Sequence, residues 1–263
     1  MNSTQEHIIK YLLLFSLFTQ LLFSHTISNY DQQIEDTQLW THQYWKSLLH
    51  IPVNNESEID SPKFFIANNG STDPKNELYQ TLNKLLTEEN LDDNSIACKF
   101  PARKDWLVKT LKIKNLPTNN CKEYNNWFQK LDPTTASLIF PSGHINSPAS
   151  MFGHTFIRIN SSYNSKLLSY AINYAANADK KTENGFLFAI KGLLGGYFGN
   201  YNMLPYYEKL KQYRDTEQRD IWEYNLNLTK DEVIQMTRHI WEIKDTYSNY
   251  YFFDENCSYN MLW

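Results

Sequence analysis

Three of the 263 residues are cysteines, and the third, Cys257, stands in the run YYFFDENCSYNMLW. A thiol attacks as its thiolate, so it needs surroundings that lower its pKa and a base to take its proton. Asp254, Glu255 and Asn256 before it, and Ser258 after it, read as a loop turning into a helix with Cys257 in the first turn. The free N–H groups and partial positive charge of a helix start favour a thiolate and can hold a developing oxyanion. The candidate bases are His42, His50, His144, His154 and His239. His154 alone belongs to a strand pattern, FGHTFIRI, whose alternation puts it on one face with Phe156 and Arg158. His239 lies mid-helix among polar neighbours and reads as a surface residue. His42 and His50 belong to an N-terminal helix and read as surface or interface residues. Residue types alone leave two readings of His154 open, a base for Cys257 or a core histidine bonded to a carbonyl.

The apolar run Tyr11 to Phe23 follows Lys10 and precedes small residues at Ser24, Thr26 and Ser28. That layout predicts a secretory signal peptide over residues 1–24, or the same segment as an uncleaved anchor. Export implies an oxidising compartment, in which Cys98 and Cys121 can pair and Cys257 is left free. Closing that loop contributes about 3 kcal/mol on the chain-entropy estimate. With 41% hydrophobic and 15% aromatic residues the chain can build a real core. A net charge of -4 without a basic stripe excludes a nucleic-acid partner. No Cys/His spacing suggests a metal and no glycine pattern suggests a phosphate loop, so no cofactor is expected.

The positioning elements fall into two parts. Residues 25–135 read as a helical, disulfide-pinned lead-in, with helices expected over Asp36 to His50, from Asp73-Pro74 through Leu86, over Lys104 to Leu111 and over Lys122 to Leu131. Residues 136–263 read as an α+β core. Strands are expected at Ser137 to Phe140, Phe152 to Ile159, Leu167 to Tyr174 and Ile221 to Leu228. Thr229 to Glu232 is a capping box opening a helix. The glycine-rich stretch Asn184 to Tyr201 reads as a tightly bending loop. The fold class is therefore α+β, a helical N-terminal lead-in followed by a small antiparallel sheet with packed helices.

The linked runs FPSGHINSPASMFGHTFIRI, LLSYAINYAAN, AIKGLLGGYFGNYN, RDIWEYNLNLT and YYFFDENCSY, preceded by CKFPARKDWL and CKEYNNWFQKLDP, resemble the Lnb N-terminal periplasmic domain family across roughly Asp60 to Met261. That family is similar to the permuted papain-like thiol folds that include lecithin–retinol acyltransferase, with the histidine strand before the cysteine helix. The resemblance implies a bacterial, periplasmic domain, and for full-length Lnb it implies lipoprotein N-acyltransfer. Cys257 matches the family's Asn-Cys step and His154 its Phe-Gly-His step, which makes them nucleophile and base. Asn173, in the AINYAA match, is the candidate to orient the imidazole, or else a structural side chain. Ser150 and Arg158 are candidates to line the substrate pocket. Asn256 and Glu255 flank the thiol, as substrate contact or as helix cap.

The mechanism this implies is a two-step acyl transfer. Cys257 takes an acyl group from a phospholipid or acylated lipoprotein as a thioester, and an amine resolves it. Gly192 to Tyr207 is either an acyl-chain or membrane-facing lip or an ordinary packed loop. Full-length members of the family that this chain resembles continue past the cysteine, so the sequence is expected to be either a fragment, truncated after Trp263, or a reduced form of the protein. Two other readings stand beside this one: a papain-like hydrolase cutting a cell-wall peptide or ester, and a non-catalytic domain binding lipid or a partner.

Overall fold

The structure, a computed structural model, describes residues 29–53, 56–142, 155–163, 165–177, 185–216 and 219–262. The N-terminal segment expected to be a signal peptide lies outside them, as do His144, Ser150 and His154. Helix α1 covers residues 29–37 and α2 Gln43–Leu48. The single helix expected from Asp36 to His50 is therefore broken. Gln38 adopts a left-handed conformation at φ 47°, and His42 is extended at φ -61° and ψ 129°. The His42 ring then caps α2 by accepting the Tyr44 N–H at 3.1 Å.

Helix α3, Pro74–Thr87, starts as its sequence dictates: Asp73 accepts the Asn76 N–H at 2.9 Å, and Pro74 fills a position that needs no donor. The short α4, Ile96–Lys99, and α5, Pro101–Leu111, follow. A disulfide between Cys98 and Cys121, with Cα atoms 5.2 Å apart, ties α4 to the start of α6, Lys122–Leu131.

The remaining chain builds one six-stranded antiparallel sheet in the order β5-β1-β2-β3-β4-β6. Its strands are β1 (Pro133–Pro141), β2 (Phe156–Ser161), β3 (Tyr170–Ala176), β4 (Tyr197–Pro205), β5 (Ile221–Asn225) and β6 (Tyr247–Tyr250). The stretch expected to be a glycine-rich loop is instead helix α7, Gly185–Leu193, followed by β4. Between its glycines the sequence FLFAIK is helix-competent. Gly195, at φ +74°, supplies the left-handed turn that stops the helix, and Gly196 N–H closes it on the Lys191 carbonyl at 2.7 Å. Helix α8 (Tyr206–Leu210) crosses between β4 and β5. Helix α9 (Lys230–Ile243) opens with the expected capping box, in which Thr229 and Glu232 satisfy each other's backbone N–H groups. Helix α10, Cys257–Asn260, is a single turn.

Register and burial assign the two faces of the sheet. Ala136, Ile159, Ile172, Tyr174 and Tyr201 face one large cluster that also takes in Trp45, Leu78, Leu107, Ile240 and Cys257. The lead-in and the sheet thus share one core. Ile139, Phe156 and Ala171 face the opposite way, onto Tyr206 and Tyr213. Within the shared core Arg103 is fully buried and links three elements. It donates to Glu77 of α3 at 2.8 Å and to the Phe64 carbonyl at 2.9 Å, and it lies 3.7 Å from Glu242 of α9. Its guanidinium is sandwiched against the rings of Phe64 and Phe100, 4.2 and 4.3 Å from their centroids.

Candidate functional site

Cys257 is the first residue of α10, as the sequence predicts, and it is buried at 6% exposure. Asn256 is the cap: its Oδ1 accepts from the N–H groups of Ser258 (3.0 Å) and Tyr259 (3.2 Å), and its Nδ2 reaches the Phe252 carbonyl. The Cys257 N–H donates to the hydroxyl of Tyr250 at 3.2 Å.

Beneath α10 lies a column of tyrosines. Tyr250 stacks on Tyr174 with centroids 5.6 Å apart, and Tyr174 meets Tyr201 at 4.8 Å. Tyr201 donates to the Asn260 carbonyl at 2.9 Å. Burial holds the phenols of Tyr174, Tyr201 and Tyr250 well above their ordinary pKa. Outside the thiol, Glu255 sits with Glu58, Asp60 and Asp254. Burial first, then repulsion by those three carboxylates, pushes it up to about 7. Tyr259 donates to Glu58 and fastens α10 to the lead-in.

Thr155, the residue after His154, hydrogen-bonds Ser258, the residue after Cys257, hydroxyl to hydroxyl at 3.0 Å. His154 itself is outside the described residues, within which β2 spans Phe156–Ser161. Asn173 is buried and pairs in register with Asn202. It follows Ala171 by two residues on β3 and so faces the Tyr206 cluster, whereas Cys257 packs with Ile172 and Tyr174 on the other face. Arg158 shares the Tyr206 side. It binds Glu223 at 2.8 Å, Asn160 at 2.7 Å and Ser137 at 3.3 Å, and lies over the Tyr206 ring. There it ties β1, β2 and β5 together on the face away from the thiol.

Two histidines read from sequence as surface or interface groups meet inside the fold, one buried and one partly buried. His50 is fully buried, and its Nε2 lies 2.9 Å from Nε2 of His239, whose Nδ1 lies 3.2 Å from Glu242. Burial, with His239 and Arg103 nearby, holds His50 well below the usual imidazole range. Both rings edge a cavity of about 560 Å³ lined by Leu48, Trp106, Leu228, Met236 and Met261. Sequence reasoning also passed over Tyr250, although it stands in the aromatic run next to Cys257. Its contact with the thiol depends on β6 lying beside β4, which no local pattern announces.

A family model, that of the Lnb N-terminal periplasmic domain, matches residues 123–263, more than half of the chain. The chain belongs to that family. The match takes in the whole sheet and Cys257, so the Lnb domain here is the antiparallel sheet with nearly all of α6 and with α7 to α10. A second family model, Domain of unknown function (DUF7843), matches residues 37–110, which include α2, α3 and most of α5. No curated protein and no solved structure matches the sequence. Among the described residues no helix is long and apolar enough to cross a membrane, and no group of three His, Cys, Asp or Glu could hold a metal ion.

Proposed function

We propose that this Lnb domain is an exported, periplasmic thiol acyltransferase that forms a thioester on Cys257, with His154 as the base. The observation that carries the reading is the Thr155–Ser258 hydrogen bond, which joins the residues that directly follow base and nucleophile in the chain. In the first step His154 takes the thiol proton and the Cys257 sulfur attacks an ester carbonyl of a phospholipid or acylated lipoprotein. The leaving alcohol departs with the proton from His154, and an amine then takes the acyl group from the thioester. Ser150 keeps the part of a pocket residue.

A lipid surface as the source of substrate is supported by α7. Phe186 and Leu194 are each 76% exposed, and Leu187 and Leu193 are also exposed, an apolar face unusual for a surface helix. This helix is locked to the segment that leads to the thiol: Phe252 N–H donates to the Gly192 carbonyl at 2.8 Å, and Asn256 bonds the Phe252 carbonyl.

The test incubates the full chain with vesicles of phospholipid and with a diacylated lipopeptide, then maps covalent adducts by mass spectrometry. An acyl mass on Cys257, lost in Cys257→Ser and strongly reduced in His154→Ala, supports the proposal. Cleaved muropeptides without any acyl adduct would replace it with the hydrolase reading, and full function in both variants would leave only a binding role.

A further inference from the structure

We propose that Tyr250 is a catalytic residue of this thiol, its phenol O–H joining the Cys257 N–H as the two donors of the oxyanion hole; the inference rests on the thioester chemistry proposed above. The geometry comes from a hydroxyl placed against the backbone of the nucleophile. The Tyr250 oxygen accepts the Cys257 N–H at 3.2 Å. When the sulfur attacks a carbonyl, the C–S bond forms and the carbonyl π pair moves onto oxygen. That oxygen must then lie beside the sulfur, within reach of nearby donors. The Tyr250 hydroxyl already sits in that neighbourhood.

The other donors of the first turn are committed elsewhere. Asn256 Oδ1 holds the N–H groups of Ser258 and Tyr259, and the Asn256 carbonyl holds that of Asn260. The Cys257 N–H is the one whose partner is a hydroxyl that can turn. A substrate carbonyl oxygen takes that N–H from the phenol, and the phenol proton then points at the same oxygen. Two donors converge on the oxyanion without any movement of the backbone.

The surroundings suit a donor that must never ionise. Tyr250 is stacked against Tyr174 and edged by Phe252 at 6.2 Å, so its ring is fixed and its aqueous access is restricted. Burial and the adjacent Cys257 hold the phenol well above its ordinary pKa, so it stays protonated. Tyr250 thus gives no proton away. The thiol proton travels to His154 and on to the leaving alcohol, and the phenol proton stays on Tyr250 while it hydrogen-bonds the oxyanion. Collapse of the adduct then restores the carbonyl as a thioester.

Two reactions of Cys257 separate this role from a structural one. Acylation by a p-nitrophenyl ester of a short fatty acid passes through an oxyanion, whereas alkylation by iodoacetamide does not. In full-length Tyr250→Phe, which keeps the ring and its stacking, acylation is expected to slow by about 100-fold, the usual loss for one oxyanion donor. Alkylation at matched pH should stay within about twofold and the thermal midpoint near that of the parent, as expected when only the donor is lost. Equal losses in both reactions would make Tyr250 a support for the thiol and overturn the proposal, as would unchanged acylation. If the parent chain alkylates at Cys257 yet acquires no acyl group from the ester, the thioester chemistry itself fails, and the proposal falls with it.

Discussion

Replacing Arg103 with methionine tests whether the lead-in and the sheet are joined by charge as well as by apolar packing. Arg103 is completely buried and is the cation set between Glu77 and Glu242. Glu77 also accepts the N–H groups of Ile66 and Ala67, and Glu242 those of Ala102 and Arg103, so both carboxylates stay fixed when the guanidinium is gone. Methionine fills most of the volume between the Phe64 and Phe100 rings, which keeps the cavity cost small. What is lost is the bond to Glu77, the bond to the Phe64 carbonyl, and the cation that lets two carboxylates share a dry interior. Breaking a buried pair from one side costs about 3–5 kcal/mol. With a urea slope of about 3 kcal/mol/M for a chain of this size, the midpoint should fall by about 1–1.7 M. Urea unfolding followed by tryptophan fluorescence and by far-UV circular dichroism is the assay. Both signals should move together, because Arg103 bridges α3 and α9 within one core. Glu77→Gln added to Arg103→Met should cost less than it does in the parent chain, since its partner is already absent. A loss below about 1 kcal/mol, or strictly additive effects, would refute the argument and mean that water reaches these carboxylates.

The pair Cys98→Ala and Cys121→Ala should lower stability by about 3 kcal/mol in urea titration, given the separation of 23 residues. In Gly192→Ala the new Cβ would stand 2.2 Å from the Phe252 ring, so the loop to Cys257 must shift. A stability loss of about 1–3 kcal/mol and faster iodoacetamide labelling of Cys257 are expected. Glu255, raised to about 7, binds protons more tightly folded than unfolded, so its contribution is present below the ordinary glutamate value and is lost as pH rises through about 7. Urea midpoints at pH 5 and pH 8 should show Glu255→Gln gaining relative to the parent at the higher pH. His50 has the opposite sense. Lowered by burial, its contribution is present above the usual imidazole value and is lost as pH falls below it, so His50→Gln should flatten the acid limb of stability between pH 6.5 and pH 4.5.

Much of the scaffold was legible because it rests on local rules. Asp73-Pro74 starts α3 and Thr229 with Glu232 starts α9, since cap chemistry involves residues three apart and needs no tertiary partner. The Asn256 cap and the helical position of Cys257 follow the same logic. The failures share a cause as well. Asn184 to Tyr201 reads as loop when its glycines are weighed above the apolar run between them. Helix α7 has its Gly192 in close contact with Phe252, a packing use of glycine that composition does not reveal. His239 looked exposed from its polar neighbours, yet His50 from a segment 189 residues earlier lies against it.

The sequence by itself determined that the chain is α+β, that Cys98 and Cys121 pair, that Cys257 begins a helix, and that linked motifs belong to the Lnb family, whose model matches residues 123–263. These are matters of short-range pattern and of motif order, which a linear text carries. Only the tertiary structure decided which groups meet the thiol. Tyr250 arrives through the β4–β6 pairing, Thr155 through the approach of β2 to α10, and the charge on Glu255 through carboxylates that fold in from Glu58 and Asp60. It also set Arg158 and Asn173 on the opposite face from Cys257, because alternation along a strand has no meaning for a distant residue until sheet register and packing fix which face that residue covers.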